Sequence, residues 1–439
     1  MPTLKASSSG LKKVQQAREE NGRNKDDERW LLEASKIVEP DKEWLPAKKF
    51  YANGCSQSTW NRFLLGHSVN TNSFKAFCQV LNLNWEEIVD RPYGDGDNGK
   101  IVDWDSCPEV TVFYDRTSEL AKLTELIQQE NCRLVAILGM GGIGKTTLAI
   151  QLGEQLQTEF EVIIWRSIQY APTALELLAN LIPLVTNFEA DSAFTKTLGQ
   201  GIGQFMAGLR SRRCLIILDG LEALFGSNQL AGTYRPDYEE YGKLFREIGS
   251  STHQSCLVLT SHEQPREIAT LAGNNRPVRC VRISGLQPNA ARQLLTEQGL
   301  VEEPEWEQLI QRYRGNPLAL KIVSDTILEL FNGKVSEFIQ QNTIFVGQVS
   351  EVLDRQFERL SDVEKKVLYR IATGEAPMSI SQISEKISPT VSISQIMEVL
   401  ESLARRSLIE KTTKDLTVLF MLQPVVMKYI VNRFKHVFE

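Results

Sequence analysis

Five apolar runs, each six residues long, punctuate residues 113–285: Arg133–Leu138 (RLVAIL), Glu161–Arg166 (EVIIWR), Cys214–Asp219 (CLIILD), Ser255–Thr260 (SCLVLT) and Val278–Ile283 (VRCVRI). Short aliphatic runs of this kind suit strands buried on both faces. Stretches of helical spacing lie between them, as in Thr147–Leu156 (TLAIQLGEQL). Strands alternating with helices predict a parallel α/β sheet. Residues 1–91 and 286–348 instead read as all-helical. Residues 350–436 predict three helices, two short strands and a last helix. There Ile393, Ile396, Leu400 and Leu403 mark one helical face, and Leu408–Lys411 with Leu416–Leu422 suggest a small hairpin, which together make a winged-helix pattern. Pro92–Cys107 (PYGDGDNGKIVDWDSC) is rich in Gly and Asp and reads as a linker. The expected domains are therefore 1–91, a linker over 92–112, an α/β domain over 113–285, a helical domain over 286–348 and a winged-helix domain over 349–439.

The first strand runs into Gly139-Met-Gly-Gly-Ile-Gly-Lys-Thr-Thr147. This fills the G-x-x-x-x-G-K-[ST] template, with the strand before it and the helix after it that the motif requires. Gly139, Gly141, Gly142 and Gly144 let backbone N–H groups, that of Ile143 included, converge where a Cβ would block the approach to phosphate oxygens. The helix N-terminus opening on Lys145, Thr146 and Thr147 adds a favourable partial charge. Lys145 is expected to reach the β- and γ-phosphates of ATP or ADP, and the Thr146 hydroxyl to ligate Mg2+. Asp219, at the tip of the third apolar run, is the second expected magnesium support. Glu222 reads as a water-orienting base or as a loop acid. His262, just past the fourth run, reads as a sensor of γ-phosphate charge or as a surface histidine.

Composition narrows the setting. The 439 residues are 42% hydrophobic, with a net charge of −6. No run approaches the ~18 apolar residues of a membrane span. The N-terminus (MPTLKASSSGLKK) is polar and carries no hydrophobic signal core. Seven scattered cysteines without a Cys-x-x-Cys pair indicate neither a disulfide framework nor a zinc site, which fits a cytoplasmic protein.

The ordered motifs resemble the NB-ARC class of STAND ATPases. They are FYDRTSEL (113–120), LGMGGIGKTTLA (138–149), VIIWRS (162–167), CLIILDGLE (214–222), LVLTSHEQP (257–265), ISGL (283–286), GNPLAL (315–320) and FMLQPVVMKYI (420–430). The combination looks most like bacterial, cyanobacterial members. The resemblance implies a P-loop NTPase sheet of order 5-1-4-3-2, a helical domain and a winged-helix domain closed over ADP. It implies opening or oligomerisation on exchange to ATP, and engagement of an effector protein. It places Arg116 and Pro317 at the adenine and ribose. The chain departs from the family pattern at Asp115, Gly220, His262 and Leu422-Gln423-Pro424. Gln423 stands where relatives carry a histidine that holds the ADP β-phosphate. These departures touch hydrolysis and γ-phosphate sensing, so slow ATP hydrolysis at most is expected. The family usually carries a sensing repeat array after the lid. With this chain ending at Glu439, either that array was removed or sensing works by other means.

The all-helical N-terminal region holds a segment, 54–66 (GCSQSTWNRFLLG), that looks like half of a helix-turn-helix, with Ser56 as the cap. Gln57, Ser58, Asn61 and Arg62 form the expected outer face, and Trp60, Phe63 and Leu64 the core. Such a face suits a major groove. Residues 1–98 carry 14 Lys and Arg against 14 Asp and Glu, and this neutrality favours a protein adaptor over a DNA-binding domain. A nucleotide-regulated transcription factor is the alternative to a signalling switch.

Overall fold

In the computed structural model the described residues are 3–6, 8–25, 27–40, 42, 44, 51–52, 55–67, 69–89, 100–105, 107–110, 112–186, 197–341, 344, 347–374, 376–387 and 391–438. They form two units, Met1–Gly94 and Asp95–Glu439.

The first unit contains β1 (Thr3–Leu4), α1 (Ser8–Glu20), α2 (Arg29–Val38), α3 (Gln57–Leu64), β2 (Val69–Asn70), α4 (Thr71–Val80) and α5 (Trp85–Ile88). It is not wholly helical, because β1 and β2 pair antiparallel, with Thr3 opposite Asn70. The Ser56 side chain caps α3 by accepting the Thr59 N–H at 3.1 Å. Trp60, Phe63 and Leu64 are buried, with Trp60 stacked on Trp30 at a 5.4 Å centroid distance. Ser58 and Arg62 face outward, while Gln57 and Asn61 are half-buried. Gly54 of the expected 54–66 segment lies outside the described residues.

The second unit opens with β3 (Ile101–Asp103), α6 (Thr117–Gln128), β4 (Leu134–Leu138), α7 (Lys145–Gln155), β5 (Val162–Ser167), α8 (Ala174–Thr186), α9 (Leu198–Ser211) and β6 (Cys214–Asp219). A 3-10 turn over Leu221–Leu224 follows, then α10 (Glu240–Ser250), β7 (Cys256–Ser261), α11 (Arg266–Leu271) and β8 (Val278–Arg282). These strands form one sheet of order β3-β5-β6-β7-β4-β8, parallel throughout. Leaving β3 aside, this is the expected 5-1-4-3-2 order. β7 lies between β4 and β6, and β5 lies outside β6. Residues 101–103, expected in the linker, instead form the edge strand against Val162–Ile164. Alternate β4 side chains feed opposite layers: Leu134, Ala136 and Leu138 pack on one face, Val135 and Ile137 on the other.

Then come α12 (Pro288–Glu297), α13 (Trp306–Arg312), α14 (Pro317–Phe331), α15 (Val335–Gln340), α16 (Val349–Phe357), α17 (Asp362–Ala372), α18 (Ile380–Ile387) and α19 (Ile393–Arg405). The chain finishes with β9 (Glu410–Lys414), β10 (Thr417–Met421) and α20 (Pro424–Phe438). The C-terminal region holds one helix more than expected, α16, before the three helices and hairpin. Ser361 and Ser392 start α17 and α19 through capping boxes with Glu364 and Gln395. Asp415 and Leu416, both at positive φ, make the hairpin turn between β9 and β10. One apolar core runs without a break from Leu286 to Ile430, so the helical and C-terminal segments share their packing. Among the described residues no helix is long and apolar enough to cross a membrane.

Candidate functional site

The loop between β4 and α7 is shaped by its glycines. Gly142 and Gly144 sit at φ 75° and 97°, in the left-handed region that favours glycine. A Cβ on Gly142 would also lie 2.6 Å from the Leu318 Cβ at the start of α14. Ile143 is buried and Thr147 half-buried in the first turn of α7. The Lys145 ammonium is buried and donates to the carbonyls of Gly139 (3.0 Å) and Met140 (3.1 Å). Burial pushes its pKa down, and Glu222 and Asp219 act against that shift.

Two side chains brace the loop from outside. Arg116, expected at the base and ribose, donates to the Ile143 carbonyl (2.6 Å), the Ser284 carbonyl (3.0 Å) and Glu119 (3.0 Å). Its guanidinium therefore ties the loop to the chain after β8. Pro317 occupies the first turn of α14, and Asn316 is that helix's N-cap. The Asn316 amide donates to the Gly141 carbonyl at 3.1 Å while its oxygen accepts the Leu318 and Ala319 N–H groups.

Asp219 ends β6 and accepts hydroxyl hydrogen bonds from Thr146 (2.8 Å) and Thr260 (2.6 Å). Burial raises its pKa, opposed by these two bonds. Thr260 in turn accepts the Gly220 N–H at 3.0 Å, so β6 and β7 are fastened at their tips. The hydroxyl of Thr146 and the carboxylate of Asp219 are hard oxygen donors at the mouth of the loop. That fits Mg2+, which takes one or two protein oxygens and completes its shell with phosphate and water. Among the described residues no group of three or more His, Cys, Asp or Glu is placed to hold a metal by itself.

Glu222 does not stand free as a loop acid. His262 Nδ1 lies 3.2 Å from its carboxylate, and the His262 backbone N–H reaches the other oxygen at 3.4 Å. Burial would raise the Glu222 pKa, but the His262 ring and the Lys145 ammonium outweigh it and hold the carboxyl well below the usual range. His262 Nε2 is buried without a hydrogen-bond partner among the described residues. A ring held by a carboxylate at Nδ1 and open at Nε2 is suited, once protonated, to donate to an arriving anionic oxygen.

A cleft of about 590 Å³ runs from Gly139 and Met140 to Ser284, Arg314, Lys411 and Gln423. Gln423, just before α20, lines this cleft together with Gly139, Met140 and Ile143 of the loop. Local sequence does not point to Asn316 as a loop brace, nor to Glu263, Arg359 and Arg406, which gather beside His262. Their relation is set by tertiary packing across 143 residues of chain, beyond the reach of any local pattern.

A buried strand, a glycine loop opening a helix on Lys145-Thr146, and an acid at a neighbouring strand tip define a P-loop NTPase domain. The family model of the NB-ARC domain matches residues 116–223. An uncharacterised WD repeat-containing protein of Nostoc sp. is 39% identical over 98% of this chain, which spans 36% of that protein. Disease resistance protein RRS1 of Arabidopsis thaliana is 25% identical over 60% of this chain, with 20% of its own length covered. A solved STAND protein with a tetratricopeptide repeat sensor from Pyrococcus horikoshii is 22% identical, with a TM-score of 0.39 over 75% of this chain and 44% of that one. Residues 116–223 thus belong to an NB-ARC domain, a P-loop NTPase module, and the chain spans about a third of the length of its Nostoc relative.

Proposed function

We propose that this chain is an ADP/ATP-controlled signalling switch, closed with ADP and opening or self-associating with ATP to engage an effector protein. The observation that carries this reading is the contact of the phosphate loop with segments far along the chain. Asn316 and Leu318 touch Gly141 and Gly142, and Gln423 lines the same cleft as Gly139. A nucleotide in that loop would therefore touch more than the α/β domain. Ligands shift such an equilibrium through differential contacts to the two arrangements. The β-phosphate is common to ADP and ATP and would be held by Lys145. The γ-phosphate would meet the Glu222–His262 side. Mg2+ on Thr146 and Asp219 would neutralise phosphate charge.

Turnover is slow in this reading. Gly220 supplies no carboxylate beside Asp219, and Glu222 is engaged by His262. The first unit serves as the effector-recruiting module. The outer face of α3 carries one cation, Arg62, within a region of balanced charge, which favours a protein partner over DNA.

The test is the nucleotide that copurifies with the protein. Wild type should yield ADP on extraction, and Lys145→Ala should yield none, since it removes the ammonium that is held inside the loop by the Gly139 and Met140 carbonyls. Ligand loss should also lower Tm by mass action. Wild-type nucleotide content in Lys145→Ala would refute the site.

A further inference from the structure

The tip of β7 presents three polar side chains in close succession, and each meets a different part of the molecule. Thr260 binds Asp219 at the metal side. His262 meets Glu222. Glu263, fully buried, turns to Arg406 just past α19, with Oε2 at 2.6 Å from Nη1. Arg406 is itself 2% exposed. It also donates to Glu364 of α17 (3.3 Å) and to the carbonyls of Gln229 (2.6 Å) and Arg359 (3.4 Å). Glu364 accepts a further bond from Ser402 at 2.6 Å. The loop 228–232 threads the same place: Gly232 N–H donates to Glu263, Ala231 N–H to Ser402 Oγ and Asn228 N–H to the Arg359 carbonyl. Beside them the Gln264 N–H donates to the Arg405 carbonyl. Arg359, between α16 and α17, donates to the Glu222 carbonyl and lies 4.0 Å from Glu263.

We propose that the Arg406–Glu263–Glu364 cluster is the latch that holds α16–α19 on the P-loop domain, with Glu222–His262 as its nucleotide-reading end and Arg359 as the link. The proposal rests on the switch reading above and names the part of the chain that regulates it. Three arguments carry it. Every bond from Arg406 to Glu263 and Gln229 crosses from the C-terminal helices to the P-loop domain, so all break together when the two part. The group that would read the γ-phosphate and the group that holds the C-terminal helices are consecutive residues, His262 and Glu263. A displacement of one cannot leave the other in place. Finally, an interface of buried charges suits a reversible contact. Two carboxylates and two guanidinium groups are stable in the dry closed form only while paired, yet water receives them readily on opening. An apolar interface of the same area would resist opening and would expose a sticky face.

The proposal is tested on the full chain. In hydrogen exchange with ADP bound, the amides of Ala231, Gly232 and Gln264 should be protected, and with a non-hydrolysable ATP analogue they should exchange at least tenfold faster. Release of a fluorescent ADP should be at least tenfold faster from Arg406→Gln than from wild type. Arg405→Ala, which removes only the outward pair with Glu401, should stay within twofold. If Arg406→Gln does not fold, the exchange experiment on wild type decides alone. Equal protection with both nucleotides, or a folded Arg406→Gln with wild-type ADP release, would overturn the latch while leaving the nucleotide site intact. Failure of wild type to bind either nucleotide in calorimetry would overturn the switch reading and the latch with it.

Discussion

At the scale of single residues, the tip of β6 places a carboxylate out of water. Asp219 is buried, and its carboxyl is pushed above its ordinary value because burial disfavours the charged form. Its two hydroxyl partners, Thr146 and Thr260, are neutral and only partly offset that cost. A group whose folded pKa is raised favours the folded state below its unfolded pKa and loses that contribution as pH rises through the folded value. Near neutral pH Asp219 therefore weighs against folding in the protein without magnesium. Asp219→Asn keeps an acceptor for both threonines and removes the charge. Melts recorded without nucleotide should show Asp219→Asn with a higher Tm than wild type at pH 7. The gap should close as pH falls toward the ordinary carboxylate value of 3.8. The same variant should lose Mg2+-dependent nucleotide hydrolysis. A lower Tm at pH 7 would mean that Lys145 and the hydroxyls already stabilise the charge, and that Asp219 carries no stored cost.

At the scale of elements, α14 is built to hold the loop as much as to pack. Asn316 caps the helix and pins the Gly141 carbonyl with the other end of one amide. Loss of an N-cap costs about 1 kcal/mol, and the freed Gly141 carbonyl adds to that. Asn316→Ala should thus lower Tm by a few degrees and weaken ADP binding several-fold, measured by thermal melts and nucleotide titration. A drop in Tm with unchanged ADP affinity would show that the brace on Gly141 is irrelevant to the site. Pattern predicted the strands well because the central ones are nearly unbroken aliphatic runs, while their order came from the family resemblance, carried above all by the Gly-Lys-Thr loop of nine consecutive residues. β3 escaped because three residues, Ile101–Asp103, are too few to show a period. They are a strand only through pairing with β5. α16 carries Val349, Leu353 and Phe357 on one buried face, but its two-turn length left it hidden beside its neighbours. Glu263 and Arg406 sit in unremarkable local sequence, and their meaning exists only once β7 and α19 are side by side.

At the scale of the whole molecule, two of the places where the C-terminal segment meets the P-loop domain bear on the switch. One is the buried charge cluster at the tip of β7, and the other is the cleft lined by both Gln423 and Gly139. The two differ in what they answer to. The cluster joins protein to protein, whereas Gln423 lines the cleft beside the loop, where the proposed function puts the nucleotide. A neutral amide donates a hydrogen bond without the charge assistance that roughly doubles such a bond. Pro424, the first residue of α20, has no N–H to add. An amide at 423 would therefore hold a phosphate more weakly than a protonated imidazole would, by about 1 kcal/mol. Gln423→His should strengthen that hold when the ring is charged: ADP release should slow several-fold at pH 6, and the difference from wild type should fade by pH 8 as the imidazole deprotonates. Self-association measured by light scattering with ATP should fall in parallel at pH 6. ADP release no slower than wild type at pH 6 would mean that the side chain at 423 does not reach the nucleotide.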